Sequence, residues 1–350
     1  MSASSEEKIP KLASLERLVK LEPIENADRL ELATVLGWKC VVKKGEMKVG
    51  DWVVMALIDV EVDTTKDPFT FLKGNKDGWF RLRTIKLRGV YSQGLVLPLW
   101  GSLREKLSKL EEGANLTELL PVRKYCKPEP ERRVGNSGYA PPKYESEDFP
   151  KHIVSKTDED HVRSNPKAMA EFDGVESYIS LKLDGSSLTL IFQDGNIQVC
   201  SRNLLLLSGQ HDMLDFTSQM ELNIPQGRNL AIQGEFVGPR INQNRLGLKD
   251  RDFFVFNIKD LDENRYLGLD AISELCSSIG LKMVPVLERF VFDAKVWTLD
   301  RLQEYANNVV NPESKSPAEG IVIRPVIPFY APTLGKCLSL KLVSQIYKDT

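Results

Sequence analysis

Apolar residues in this chain recur mainly at every second position and in short runs, the signature of strands rather than helices. Residues 13–24 read as a strand followed by a turn. Leu30-Glu31-Leu32-Ala33-Thr34-Val35 alternates, residues 38–42 follow after Gly37, and residues 51–58 form a further strand entered through Lys48-Val49-Gly50. Short strands at this spacing predict a small barrel over residues 1–121. Residues 122–148 are rich in Pro, Gly and charge and predict a linker. Residues 149–350 then predict a second domain. Tyr178 and Ile179 lead into one strand, and Leu188 to Phe192 lead out along another after a tight turn. Further strands are expected around 230–239, 252–258, 319–325 and 337–343, with helices at 270–276 and 299–306. Strands outnumber helices and both are mixed along the chain, so the class is α+β.

Composition narrows the function. Hydrophobic content of 42% and charged content of 27% over 350 residues fit two globular domains. No apolar run approaches the ~20 residues that span a bilayer, so no membrane partner is expected. The five cysteines, Cys40, Cys126, Cys200, Cys276 and Cys337, are scattered and odd in number. That suits a reducing intracellular compartment and argues against a disulfide or zinc framework. A net charge of -2 means that any nucleic-acid binding must use local basic surfaces.

The best such surface is Phe80-Arg81-Leu82-Arg83-Thr84-Ile85-Lys86-Leu87-Arg88-Gly89-Val90-Tyr91. Arg81 and Arg83 share one face of a strand, and so do Lys86 and Arg88. The two pairs differ in parity, so aligning them requires a bulge or bend. With Phe80 or Tyr91 placed for stacking, the element reads either as a phosphate-contacting surface or as an ordinary solvated strand face. The stretch Lys182-Leu183-Asp184-Gly185 is the strongest chemical signal. A lysine at a strand end beside a carboxylate is a candidate covalent nucleophile.

Five elements in order carry a resemblance. They are Lys182-Leu183-Asp184-Gly185, Ser201-Arg202-Asn203, Gly234-Glu235-Phe236, Phe254-Val255-Phe256-Asn257-Ile258 and Glu319-Gly320-Ile321-Val322-Ile323, closed by a strand bearing Lys341. The set resembles the covalent nucleotidyltransferases, the ligases and mRNA capping enzymes. Pro23 to Val35 resembles the OB-fold tRNA-binding modules beside several synthetases. DNA ligases and capping enzymes carry an OB domain after the last lysine strand, whereas here Thr350 follows shortly after Lys341. An OB-like domain on the N-terminal side is similar instead to a family of ATP-dependent RNA ligases, and residues 149–163 are similar to their lead-in segment. The fold implied is an N-terminal OB-fold β-barrel followed by a mixed α/β nucleotidyltransferase (ligase adenylation) domain.

That resemblance implies a chemistry. Lys182 attacks the α-phosphate of ATP, AMP passes to a 5′-phosphate end, and a 3′-hydroxyl then seals the strand. The nucleophile must be a neutral amine. At a free pKa of about 10.4, roughly one lysine in a thousand is neutral near pH 7.4. Lys341 and a divalent metal, Mg²⁺ or Mn²⁺, would disfavour the ammonium. Glu319 and Asp184 would hold that metal directly or through its waters. Glu235 would accept hydrogen bonds from the ribose, with Arg202 beside sugar or phosphates. One of Phe254 and Phe256 would stack on adenine, with Phe256 favoured. Lys156 and Arg163 would contact leaving pyrophosphate or substrate. Expected partners are nicked duplex RNA or an RNA/DNA hybrid, bound by a monomer. Guanylyl transfer and a non-catalytic RNA-binding role are the competing readings. Two departures stand out. Many relatives have Lys-x-Lys in the last strand where this chain has Ser339 two before Lys341, so that either Lys336 compensates or Lys341 acts with less help. Several also have Glu just before the nucleophile, where this chain has Leu181, which leaves backbone groups to read adenine.

Overall fold

The computed structural model describes residues 11–107, 109–125, 144–225 and 227–347. The chain divides into two compact units, Met1–Glu129 and Pro130–Thr350. The central residues of the expected linker, 126–143, and with them Cys126, lie outside the described residues. Among the described residues, Cys40, Cys200, Cys276 and Cys337 form no disulfide. Among the described residues no helix is long and apolar enough to cross a membrane.

The first unit is built of short strands. They are β1 (Ala13–Arg17), β2 (Lys20–Pro23), β3 (Leu30–Val35), β4 (Trp38–Lys43), β5 (Trp52–Ala56), β6 (Val60–Asp63), β7 (Trp79–Arg81), β8 (Thr84–Leu87), β9 (Val90–Gln93), β10 (Leu95–Pro98) and β11 (Val122–Lys124), with one helix, α1 (Gly101–Leu107). They pair as β1-β5-β10, β11-β6-β7, β2-β3-β4 and the hairpin β8-β9. The inward positions of the alternating runs, among them Leu15, Trp38, Val54 and Val62, form one core.

The second unit holds two large sheets. In chain order its strands are β12 (Tyr144–Asp148), β13 (Asp160–His161), β14 (Glu176–Lys182), β15 (Ser186–Gln193), β16 (Asn196–Cys200), β17 (Leu204–Gly209), β18 (Leu230–Val237), β19 (Asp252–Asp260), β20 (Arg265–Tyr266), β21 (Lys282–Met283), β22 (Val286–Val291), β23 (Gly320–Pro325), β24 (Tyr330–Ala331), β25 (Lys336–Cys337) and β26 (Leu340–Val343). Its helices include α2 (Pro166–Met169), α3 (Asp212–Ser218), α4 (Leu269–Ile279) and α5 (Leu299–Asn308). One sheet runs β12-β17-β16-β15-β18-β19-β20, with β21 beside β19; the other runs β13-β26-β23-β14-β22.

This topology decides what Lys182-Leu183-Asp184-Gly185 does. The strands on either side of it, β14 and β15, belong to different sheets. The tetrapeptide is therefore a crossover between sheets, not the loop of a hairpin. It leaves Lys182 at the end of one sheet while the following residues enter the other. β14 is sheathed by β23 and β22, and its residues Ser177 to Leu181 are all buried. A strand buried on both faces loses clean alternation, as Tyr178-Ile179-Ser180-Leu181 does.

Two glycines are dictated by close approach. A side chain at Gly185 would place its Cβ 2.4 Å from the Phe236 carbonyl oxygen and 2.8 Å from Glu235 Cγ. At Gly320, which pairs with Lys182, a Cβ would stand 2.1 Å from the Leu342 carbonyl oxygen. Backbone cannot yield cheaply there, so Gly320→Ala is expected to destabilise the second unit by about 1–3 kcal/mol, the usual cost of overpacking. Thermal denaturation checks this: an unchanged Tm would mean that the strands separate freely at that point.

Candidate active site

Register places the candidate residues. Lys182 pairs with Gly320, Ser180 with Val322 and Tyr178 with Arg324. On the far side of β23, Val322 pairs with Lys341. Cross-strand partners share a face, so Lys182, Val322, Arg324 and Lys341 project from the same side of the sheet. Glu319 stands immediately before Gly320, which delivers its carboxylate to the nucleophile. Lys182 Nζ lies 2.5 Å from Glu319 Oε1, and both side chains are about four-fifths buried, at 22% and 20% exposure. Glu235 comes from the other sheet, on β18, opposite Ser187 of β15 and Phe254 of β19. Asp184 sits between the two in the crossover.

The electrostatics follow from charge counting. Burial alone would lower the Lys182 pKa, but the carboxylates of Glu319, Glu235 and Asp184 outweigh it and hold the ammonium above its ordinary value. Burial, with a contribution from Asp184, pushes Glu319 up against the opposing pull of Lys182. Burial pushes Glu235 up to about 8, with the charges of Glu319 and Asp184 adding to it. At neutral pH Glu235 is then largely the neutral acid, and Glu319 and Asp184 are the charges that face an amine that must lose its proton to react. The donor set is all oxygen, which fits Mg²⁺ or Mn²⁺. Among the described residues no group of three or more His, Cys, Asp or Glu side chains is arranged to hold a metal by itself.

Residues 153–160 are laced across this region. Lys156 Nζ donates to Asn203 Oδ1 at 2.9 Å, and Arg202 Nη2 lies 2.6 Å from Asp158 Oδ1. Thr157 Oγ1 and Ser187 Oγ are 2.7 Å apart, and Gln233 Nε2 donates to the Ser155 carbonyl at 2.9 Å. Arg202 is close enough to lower Glu235. Arg163 is buried. It is 3% exposed and donates through Nη2 to Gln303 Oε1 of α5 at 2.7 Å.

Phe256 occupies a bulge. Gln233 pairs with Asn257 and Gly234 with Val255, so Phe256 is the extra residue of β19. Its carbonyl, freed from the ladder, accepts from Arg324 Nη1 at 2.7 Å, and the Arg324 guanidinium lies 5.2 Å from its ring centroid. The Phe254 ring has Lys282 Nζ 5.8 Å from its centroid. Both rings are half-buried against the apolar group of Leu181, Leu183 and Val237.

The residues missed by sequence reasoning cluster around Arg324 and Asp184. Arg324 Nε donates to Ser339 Oγ at 2.9 Å, and its Nη2 pairs with Glu159. Burial would raise Glu159, but Arg324 and then Lys336 hold its carboxyl below the usual range. A charged residue directly after the apolar run Ile321-Val322-Ile323, still within the buried strand β23, was the available signal. Ser339, at the position where a lysine was expected, is thus the acceptor for a buried guanidinium. Lys336 is held by the segment of residues 158–160. Its Nζ donates to the Asp158 carbonyl at 2.5 Å and pairs with Asp160 Oδ2 at 2.9 Å. Asn242 and Tyr347 both donate to Asp184, from 58 and 163 residues away, and no periodicity links them to it.

In the first unit the basic element is broken. β7 ends at Arg81 and β8 begins at Thr84 in a separate hairpin. Leu82, 5% exposed, turns into the core between them and bonds Val60 and Asp59 through its backbone. Arg81 is neutralised by Asp59, at 2.6 Å, and covered by the Tyr125 ring at 3.8 Å. Arg83, Lys86 and Arg88 are exposed, with Lys86 Nζ 5.4 Å from the Tyr91 ring centroid.

Residues 175–343 match the RNA ligase family, and residues 12–99 match an OB-fold domain family. No curated protein sequence matches the chain. Among solved structures, a Naegleria gruberi RNA ligase with PPi is 28% identical, with a TM-score of 0.73, over 96% of this chain and 97% of that chain. A lysine-to-methionine mutant of Naegleria gruberi RNA ligase with AMP and Mn is 29% identical, with a TM-score of 0.76, over 97% of this chain and 100% of that chain. A glutamate-to-alanine mutant with ATP and Mn is 29% identical, with a TM-score of 0.74, over 96% and 97%.

Proposed function

The chain belongs to the ATP-dependent RNA ligases with an N-terminal OB-fold domain, and from that membership we propose that it seals 3′-hydroxyl to 5′-phosphate ends at nicks in duplex RNA or RNA/DNA hybrids. The observation that carries the reading is the meeting of Lys182, Glu319, Asp184 and Glu235 where the two sheets exchange the chain.

In this reading Lys182 Nζ forms a bond to the α-phosphorus of ATP as the bond to pyrophosphate breaks, and the amine loses its proton. AMP then passes from Lys182 to the 5′-phosphate, and the 3′-hydroxyl displaces AMP as the new phosphodiester forms. The solved relatives with ATP or AMP and Mn support ATP and a divalent cation as the reactants here. Glu319 and Asp184 would hold that cation, directly or through water. When bound, the cation would supply charge that offsets the carboxylates beside Lys182, so that its neutral amine becomes accessible, and would stabilise charge building on the α-phosphate. Lys341, on the same sheet face, adds a second positive charge toward the phosphates. Glu235 would accept from the ribose hydroxyls, Phe256 would stack on adenine, and Lys156 and Arg202 would line the phosphate side. Arg163 in its buried place supports the α5 contact. Arg83, Lys86 and Arg88 would contact duplex phosphates, with Arg81 holding the adjoining sheet. The protein would act as a monomer in a reducing compartment inside the cell.

A nicked duplex with labelled 5′-phosphate tests the proposal. Sealing is expected with ATP and Mn²⁺ when the 3′-hydroxyl strand ends in RNA. Sealing of single-stranded ends alone would overturn the nick preference, and GTP-only reaction would move the chain to guanylyl transfer.

A further inference from the structure

Asp184 is held differently from the other acids of the site. Tyr347 donates its hydroxyl to Asp184 Oδ2. Asn242 Nδ2 donates to Asp184 Oδ1 at 2.9 Å and reaches the Gly185 carbonyl at 2.5 Å. Glu319 has only Lys182 as its side-chain partner among the described residues, and Glu235 has no hydrogen-bond partner among them. So one carboxylate of three is gripped at both oxygens, and both donors are neutral.

Each donor is itself built in place. Residues 344–347 run out from β26 against α5. Ser344 N donates to the Glu319 carbonyl at 2.9 Å, and Gln345 N to Asn307 Oδ1 at 2.8 Å. The Tyr347 ring carries the Arg245 guanidinium 4.4 Å from its centroid, and the Arg245 carbonyl accepts from Ser314 Oγ at 2.7 Å. On the other side, Asn242, Gln243 and Asn244 have φ of 40°, 62° and 50°. Three successive non-glycine residues in the left-handed region are strained and persist only where the surroundings enforce it. Asn244 enforces it here, donating to the Leu248 carbonyl at 2.8 Å and accepting from Leu248 N at 3.1 Å. The strained turn presents Asn242 to the crossover.

The chemistry of the grip is informative. An arginine or lysine would orient Asp184 but cancel its charge. A phenol and an amide orient it and leave the full charge for a cation. Each takes one acceptor site, and a carboxylate has about four.

We propose that Tyr347, with Asn242, is a positioning residue for adenylation: it fixes the Asp184 carboxylate so that its remaining lone pairs face the divalent cation or that cation's waters, which makes the segment after β26 part of the active site. The inference rests on the adenylation chemistry proposed above. Partners that orient metal-binding groups typically alter metal affinity or activity by about 10–100-fold when removed.

The variant is Tyr347→Phe, which keeps the ring against Arg245. Binding of Mn²⁺ is read from the electron paramagnetic resonance of free Mn²⁺ in the presence of α,β-methylene-ATP. Labelling by α-labelled ATP is followed over the same Mn²⁺ range. The half-saturating Mn²⁺ concentration is expected to rise about tenfold in both readouts, with labelling recovered at saturating Mn²⁺. A lower Tm with an unchanged Mn²⁺ requirement would reduce Tyr347 to a tie for the chain end and overturn the proposal. The contact itself is read without metal or nucleotide: the ¹³Cζ resonance of Tyr347 should shift in Asp184→Asn. No shift would overturn it too. If wild-type protein neither labels nor carries AMP by intact mass, the ligase reading fails and takes this inference with it. A labelled wild type with an indifferent Tyr347→Phe sinks the inference alone.

Discussion

Lys182→Ala is expected to abolish the covalent protein–AMP adduct completely, and Lys182→Arg to do the same. Among the described residues, the amine of Lys182 is held by Glu319 Oε1 at 2.5 Å, at the strand end where both sheets contribute acids. Alanine has no nucleophile. Arginine keeps the charge and the ion pair but has a pKa above 12, so it never offers a lone pair. A free lysine costs about 4 kcal/mol to deprotonate at neutral pH. Glu319, Glu235 and Asp184 raise that cost in the metal-free protein. The amine is therefore inert until a cation joins the site, and labelling should require both ATP and Mn²⁺. Denaturing electrophoresis with α-labelled ATP, with intact mass to catch protein already adenylated, reads the result. Label that persists on Lys182→Ala would mean that another side chain is the nucleophile and would dismantle the assignment.

The meeting of Lys182 with Glu319, Glu235 and Asp184 was legible because these residues sit in short strings at strand ends or close backbone approaches. Lys182, Asp184, Glu235 and Glu319 could be named from short strings, since each string is also a strand terminus or a close backbone approach. The glycines of Lys182-Leu183-Asp184-Gly185 and Glu319-Gly320 are there because a Cβ would strike Phe236 or Leu342. What could not be read was anything set by the meeting of distant segments. The crossover at Asp184 looks like a hairpin turn in sequence, because Asp and Gly favour a bend whichever sheet follows. The bulge at Phe256 arises from register against Gln233 and Gly234, and no local string encodes it. Arg163 stands in a polar lead-in yet is buried, since Gln303 of α5 offers a partner. Arg81 and Arg83 looked like one strand face until Leu82 was pulled into the core between them.

Glu319→Gln is the variant in which two effects oppose, and the opposition identifies what Glu319 does. Glutamine keeps the shape and the backbone contact from Ser344 N to the Glu319 carbonyl, at 2.9 Å. It removes the carboxylate that is the strongest of those holding Lys182 protonated. In metal-free protein the Lys182 pKa should therefore fall, so that at fixed pH more of it is neutral. If Glu319 did nothing but pair with Lys182, the variant would adenylate faster than wild type. If Glu319 holds the cation, the charge that matters during phosphoryl transfer is lost, and labelling should drop by about 10²–10³-fold, the scale seen when one preorganised electrostatic group is removed. The Lys182 ¹³Cε resonance across pH gives the first effect, and the rate of labelling at fixed ATP and Mn²⁺ gives the second. A downward shift of the titration together with a collapsed rate places Glu319 with the metal. A downward shift with an undiminished rate would assign the cation to Asp184 and Glu235 instead, and leave Glu319 as the acid that keeps the nucleophile quiet until ATP arrives.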